Sequence, residues 1–279
     1  MDLTLHDSQG TAGPEGVVVG AENEPAAGLS GDEVGVLPLD KPAGPSSFKM
    51  VGLVRRAMGI KKVGHSGTLD PFASGLLVIC IGRPATRIIS TLMGGEKEYE
   101  VAIRLGIETD TMDPEGQVIR RREVGPLSRD QVVDCLAGFV GEQLQTPPAF
   151  SALKHKGKPL YHYARKGIMV EKEPRPVVIS GIELLDLEKD RLAFRVVCGK
   201  GTYIRSLASD IGNRLGCGAY VEYLRRLRNG QFSVKEALRG DLLTPDHHGA
   251  ALIRSRMLPV AEVLGRISAP SPGRQYLNI

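Results

Sequence analysis

The sequence contains no tryptophan, and aromatic residues make up only 5% of its 279 positions. A flat aromatic platform for single strands is therefore not expected as its main surface. Lys and Arg are missing from the first 40 positions, where Asp2, Asp7, Glu15, Glu22, Glu24, Asp32, Glu33 and Asp40 fall instead. The four cysteines (Cys80, Cys135, Cys198 and Cys217) form no CxxC pair and stand at no zinc spacing with histidine. Buried free thiols in a reducing compartment are the simplest reading of Cys80 and Cys135, and no metal site is expected. No apolar run approaches the ~20 residues of a membrane span. The N-terminus has neither a basic segment followed by an apolar one nor an Arg-rich transit pattern. A cytoplasmic protein without a membrane partner is the expectation.

What is present is unevenly charged. The formal charge is +4, but without the eight N-terminal acids the remainder holds 36 basic and 24 acidic residues, a net of +12. Such an excess suits a polyanion, whose counterions Lys and Arg displace on binding. A solvated basic face would look the same by charge alone.

Residues 1–33, rich in Gly, Ala, Glu and Pro without periodicity, read as a disordered acidic extension. Ser46 or Ser47 can cap a helix through Val51, Val54 and Met58 that stops at Gly59. A glycine-punctuated loop, Gly64 to Gly75, leads to a buried-strand pattern, Leu76 to Ile81. A short helix is expected near Ile88, an alternating strand at Tyr99–Leu105, and a turn at Asp110–Gly116 before another strand. Ser128 opens an amphipathic helix with Val132, Val133, Leu136 and Phe139 on one face. Residues 145–175 read as a basic loop with a short helix at Tyr161–Arg165. Strands at 177–187 and 191–198, a helix at Tyr203–Leu215 and a strand near Tyr220–Leu227 follow. Beyond Asp241 the pattern weakens, and the last ten residues read as disordered. Strands joined by short turns with irregularly interspersed helices predict a mixed α/β (α+β) fold with a largely antiparallel sheet.

The chemistry concentrates in Gly64-His65-Ser66-Gly67-Thr68-Leu69-Asp70-Pro71-Phe72-Ala73-Ser74-Gly75. Its glycines and proline permit tight turns and hold Asp70 on a loop entering a strand. By itself an Asp before Pro is most often a turn residue. The stretch, however, resembles the catalytic loop of the tRNA pseudouridine synthases that modify the T-loop, close to GHxGxLDPxAxGxL. Five further segments match in order. Leu39-Asp40-Lys41-Pro42-Ala43-Gly44-Pro45-Ser46-Ser47 is similar to DKPxGxTS, with Ser46 replacing Thr. Lys97-Glu98-Tyr99 is followed by Leu105-Gly106 and Thr109-Asp110-Thr111-Met112-Asp113. Pro147 to Lys154 continues through Tyr161 to Ala164-Arg165. Gly199-Lys200-Gly201-Thr202-Tyr203-Ile204-Arg205-Ser206 and Tyr223-Leu224-Arg225-Arg226-Leu227 complete the set.

The resemblance spans about residues 36–240 and implies the pseudouridine-synthase fold over 34–240. It implies isomerisation of the T-loop uridine conventionally numbered 55, by base flipping and without cofactor or metal. In that reading Asp70 is the catalytic carboxylate and Arg205 the guanidinium that keeps it ionised and aimed. Tyr99 stacks on the base, although a tyrosine in an alternating strand is equally a packing residue. Tyr203 and Leu224 match pocket residues, and His65 matches the residue that fills or supports the gap left by the flipped uridine. Lys41-Pro42 and Gly44 pack beside the loop in a structural role. The insertion at about 145–170, with Lys154, Lys156, Lys158 and Arg165, implies a mobile RNA clamp that orders on the T-arm.

Only about 39 residues follow Gly240, so a full PUA-type RNA-binding module is not expected in the 241–279 tail. A monomer acting on tRNA without guide RNA is the leading reading. A tRNA-folding chaperone and a guide-dependent synthase subunit are the alternatives. A nucleotide cradle is not supported: Gly199-Lys200-Gly201-Thr202 has Phe194 where a P-loop needs glycine and Gly201 where it needs Ser or Thr.

Overall fold

The computed structural model describes residues 33–168, 170 and 172–269. Of the disorder expected over 1–33, residues 1–32 lie outside the described residues, as do the last ten. The order is β1 (Gly35–Lys41), α1 (Ser47–Met58), β2 (Val63–His65), β3 (Ser74–Ile81), α2 (Gly82–Arg87) and α3 (Ile89–Leu92). Next come β4 (Lys97–Leu105), β5 (Ile107–Thr109), β6 (Val118–Arg121), α4 (Arg129–Ala137) and β7 (Gly141–Gln145). Then follow β8 (Lys154–His155), β9 (Lys158–Pro159), α5 (Leu160–Ala164), β10 (Arg175–Glu188), β11 (Arg191–Cys198) and α6 (Ile204–Arg214). The last are β12 (Ala219–Asn229), β13 (Phe232–Ser233), β14 (Leu238–Arg239), α7 (His247–Arg256) and α8 (Val260–Ser268).

One ten-stranded sheet organises the chain in the order β14-β1-β3-β12-β4-β11-β10-β7, with β2 beside β3 and β13 beside β12. Most neighbours are antiparallel, as the short connections require. Two pairs are parallel: β1 with β14, and β3 with β12, where Ser74 and Gly75 face Arg225 and Arg226. β12 therefore joins two parts of the sheet that are distant in sequence.

The apolar residues divide accordingly. One cluster packs α1 and α7 against β1 and β3, through Leu37, Met50, Val54, Leu77, Ile79 and Ile253. A larger one fills the space between β4, β10, β11 and β12 and helices α4 and α6, with Val101, Leu136, Phe194, Leu207 and Leu224. Leu69 and Ala73 belong to this second cluster, although the strands before and after them lie with the first. A third cluster, with Leu76, Val78, Cys80 and Phe232, covers the other face of β3. The loop bearing Asp70 thus packs Leu69 and Ala73 into a different cluster from the strands it joins.

Local signals decide the helix ends. The Ser46 side chain accepts a hydrogen bond from the Lys49 amide, and Gly59 closes α1 in the left-handed conformation at φ 68°. Ser128 and Gln131 form a reciprocal capping box on α4. Two expectations are corrected. The segment after Asp241 is not weakly structured: α7 and α8 bury Ile253 and Val263, and Leu258 exchanges backbone hydrogen bonds with Val36. Within 145–175 the expected short helix is present as α5, and the correction is a hairpin ahead of it. Positive φ at Lys156 (46°) and Gly157 (80°) turns the β8–β9 hairpin, and α5 follows at once.

Candidate active site

Asp70 lies on the connection from β2 to β3, and the chain fixes that connection on both sides of it. The Ser47 hydroxyl donates to the Leu69 carbonyl and accepts from the Leu69 amide, each at 2.9 Å. The Gly44 amide and the Lys41 ammonium both donate to the Pro71 carbonyl, at 2.8 and 3.1 Å. Lys41 also donates to the carbonyls of Pro42 and Pro45. Its complete burial lowers its pKa to about 8, even though Asp70 and Glu115 favour the charge.

From the far half of the sheet, Arg226 reaches back into the same loop. Its Nε donates to Leu76 O at 2.7 Å, Nη2 to Gly67 O at 3.1 Å and Nη1 to Thr68 O at 3.4 Å. Asn229 donates to the Ser66 carbonyl and hydroxyl, both at 3.2 Å. Gly75, at φ 100°, permits the close crossing of β3 and β12: a Cβ there would lie 2.3 Å from the Arg226 carbonyl oxygen. Arg226 is 2% exposed, and its guanidinium anchors the loop by donating to these backbone carbonyls.

Arg205, in the first turn of α6, supplies the partner. Its Nε lies 2.9 Å from Asp70 Oδ2 and its Nη2 3.4 Å from Oδ1, a two-pronged contact. Nη1 donates to Thr111 O at 2.9 Å and faces Asp113 Oδ2 at 3.4 Å, while Nη2 also donates to Phe150 O at 2.7 Å. The guanidinium is thus saturated by one carboxylate on the β2–β3 loop, the turn after β5 and the root of the 145–170 insertion. It is 4% exposed, so its fixed fork holds Asp70 in one orientation.

The sequence suggests that Arg205 lowers the pKa of Asp70. The net shift is upward: burial raises it most and Asp113 adds to the rise, against the lowering by Arg205 and, last, by Lys41. Glu115, facing the same cluster, is also raised, by burial first and then by Asp113 and Asp70. Activity that needs ionised Asp70 is therefore lost, as pH falls, above the usual carboxylate range. Asp113→Asn removes a like charge and lets Asp70 ionise more easily. The acid limb of the rate profile should then move to lower pH, measured on kcat/KM between pH 4.5 and 8. An unmoved limb would separate that limb from Asp70.

The other residues named from sequence fall into three groups. Tyr99 (8% exposed) and Leu224 (6%) lie in the core cluster that contains Leu69 and Ala73. Tyr99 faces Arg226 across the β4–β12 pair. Burial pushes its hydroxyl pKa up, opposed by that guanidinium. Of its two readings the fold shows the packing one: the ring is a core residue in the cluster that holds Leu69 and Ala73. His65 ends β2, with Nδ1 buried and without a hydrogen-bond partner among the described residues. Burial, then Arg226, hold its pKa down.

Tyr203 caps α6 through its backbone: its amide donates to Gln145 Oε1 at 2.8 Å, and its carbonyl accepts from Gln145 Nε2 at 3.1 Å. Lys154, Lys156, Lys158 and Arg165 are exposed on the insertion and make no bond to Asp70 or Arg205 among the described residues. Their link to the site runs through Phe150 and the buried Ser151 at the insertion's root. The sequence assigns no role to Ser47, Gln145 or Arg226. Ser47 and Arg226 do lie in segments that match the family, and Arg226 is also a charged residue at a core-facing position of a strand.

The family description "TruB family pseudouridylate synthase (N terminal domain)" matches residues 55–204, and "tRNA pseudouridylate synthase B C-terminal domain" matches residues 205–264. The chain belongs to the TruB family. The boundary between the two matches falls immediately before Arg205, so the TruB ion pair joins the two segments. The chain is 56% identical over 220 residues to "tRNA pseudouridine synthase B" of Desulfotalea psychrophila, covering 77% of this chain and 89% of that one. It is 47% identical to the protein of that name from Chlamydia trachomatis, covering 75% and 86%. Among solved structures it resembles a Cbf5-Nop10-Gar1 complex, with TM-score 0.64 and 29% identity. That match covers 84% of this chain and 63% of the other, so the chain spans less than two thirds of that structure's length. An archaeal box H/ACA sRNP Nop10-Cbf5 complex gives TM-score 0.62 at 27% identity, covering 89% and 69%.

Proposed function

We propose that this TruB-family chain converts the T-loop uridine, conventionally numbered 55, of tRNA into pseudouridine, with Asp70 as the catalytic carboxylate. The observation that carries this reading is the two-pronged Arg205–Asp70 contact on a loop fastened on both sides of Asp70. The reaction breaks the bond from C1′ to N1 and forms one from C1′ to C5. The C5 proton leaves to solvent and N1 takes one up, so there is no net change in oxidation state. A carboxylate nucleophile provides the covalent intermediate that divides the exchange into two steps. Arg205 aims that carboxylate, and Tyr99 offers a ring on which the flipped base stacks, at about 1–3 kcal/mol per base. Tyr203 and Leu224 line the pocket, and His65 supports the gap in the loop.

The substrate assignment draws on the relatives' printed name and on the basic body of the chain. We place the enzyme in the cytoplasm as a monomer, acting without a guide RNA. The lysine-bearing insertion, rooted on the Phe150 carbonyl that Arg205 holds, supports stand-alone action. Purified protein alone, given tRNA with 5-tritiated uridine, should release tritium, and a transcript with cytidine at position 55 should release none. Release that required added guide RNA, or persisted on the cytidine transcript, would refute the assignment. Replacing Lys154, Lys156 and Lys158 by Gln should weaken tRNA binding and lower the slope of log K against log salt by about 2–3. Filter binding from 50 to 300 mM KCl tests this; an unchanged slope would remove the clamp role.

A further inference from the structure

The chain between Asp40 and Asp70 carries no acidic residue. Within it, Lys49, Arg56, Lys61 and Lys62 are exposed along α1 and its connection to β2. Phe48 stands at the head of this row. It is 71% exposed, among the most exposed of the large apolar side chains. The Arg55 guanidinium carbon lies 5.9 Å from its ring centroid. Arg55 also donates to Val63 O at 3.1 Å, so the cation beside the ring is tied to the strand that ends at His65. Position matters as much as composition. Phe48 directly follows Ser47, whose hydroxyl is bonded twice to the backbone of Leu69, the residue before Asp70. Phe48 is thus the chain neighbour of the residue that fastens the Asp70 loop to α1, whereas the 145–170 insertion joins the site through Phe150.

An exposed aromatic backed by a guanidinium, followed by lysines and arginines without an acid, fits a polynucleotide better than a protein. The ring offers a face to an unpaired base, and the cations follow the phosphates. We propose that α1 and the α1–β2 connection form a second RNA-contact surface, in which Phe48 stacks on a base neighbouring the target and Lys49, Arg56, Lys61 and Lys62 neutralise the adjoining backbone. This rests on the RNA-modifying reading above and adds a subsite to it. The two-sided grip would hold the substrate between α1 and the insertion, with Asp70 between them.

The absence of native tryptophan supplies the test. Phe48→Trp, made in the full chain, introduces the only tryptophan at a site exposed enough to accept it. Titration with a T-arm stem-loop RNA should quench its emission in parallel with filter-retained complex. Phe48→Leu, which keeps an apolar side chain but loses the ring, should weaken binding about tenfold. Changing Lys49, Arg56, Lys61 and Lys62 together to Gln should lower the salt slope by about 2–4. Emission that stays constant while complex accumulates, or an unaltered salt slope, overturns the proposal and leaves the proposed function standing; Phe48 would then serve only to cover Arg55. If wild type retained no RNA on the filter, both readings would fall together.

Discussion

Asp70→Asn should reduce tritium release by on the order of 10⁴-fold or more while leaving tRNA binding in place, because the amide keeps the shape but supplies no carboxylate nucleophile. The loop does not depend on the carboxylate for its position. Leu69 and Pro71 are held by Ser47, Gly44 and Lys41, and Gly67 and Thr68 by Arg226. The substitution should accordingly spare the fold. It should also be mildly stabilising at neutral pH. Burial raises the Asp70 pKa from the ordinary 3.8, so the folded state disfavours its charge, and that cost is present above the raised pKa. It fades as pH falls and is gone below the ordinary value, where both states are protonated. Denaturant midpoints for the two proteins should therefore converge on acidification. Residual tritium release within tenfold of wild type would remove Asp70 from the chemistry.

The second large effect is expected at Arg205. Arg205→Lys keeps one positive charge but cannot span Asp70, Asp113, Thr111 O and Phe150 O at once, since an ammonium lacks the planar fork. A loss on the order of 10²-fold in kcat is expected, comparable to removing one aligned donor from an active site. Arg205→Met should be worse in a different way. It leaves Asp113, 5% exposed at its side chain, and Asp70 without their countercharge. Removing one partner of a buried pair costs about 3–5 kcal/mol, readable as a lower urea midpoint with an unchanged slope. The two variants thus separate aim from fold. Full activity in the lysine variant would show that the fork is dispensable.

Much of the architecture was legible because local chemistry and packing agree. Ser46 and Gly59 mark both ends of α1, and alternation from Tyr99 to Leu105 reads directly as β4. The contact between Asp70 and Arg205 joins residues 135 positions apart; motif resemblance, not periodicity, anticipated it. The expected direction of the Asp70 pKa shift failed for a related reason. Spacing names a neighbouring cation, but burial and the approach of Asp113 are products of the assembled fold. Two helices near the end were missed for opposite causes. In α7, His247 to Arg256 has little apolar bias, so Asp246 capping Gly249 was the main local signal. In α8, Val260, Val263, Leu264 and Ile267 do recur at helical spacing, but the segment is short. The hairpin at Lys156-Gly157 was hidden among lysines because its strands are two residues each. Gln145 could not be read at all, and Ser47 only as part of a matching segment, since their importance lies in carbonyls and amides that arrive from elsewhere in the chain.

The place of β12 in the sheet has a consequence for synthesis. While the ribosome has not yet delivered residues 219–229, β3 and β4 have no strand to join them. β4 presents an open edge, and β3 leaves Ser74 and Gly75 unpaired on the side where β2 covers the rest. Asp70 then belongs to an early fragment and Arg205 to a later one. At roughly 5–20 residues per second, the 135 positions between them take about 7–27 s to make. A nascent chain interrupted in that interval would carry the carboxylate without its guanidinium and the loop without Arg226. Such a fragment could meet RNA through its basic surfaces but would lack the arrangement needed to act on it, so competence arrives with the central strand.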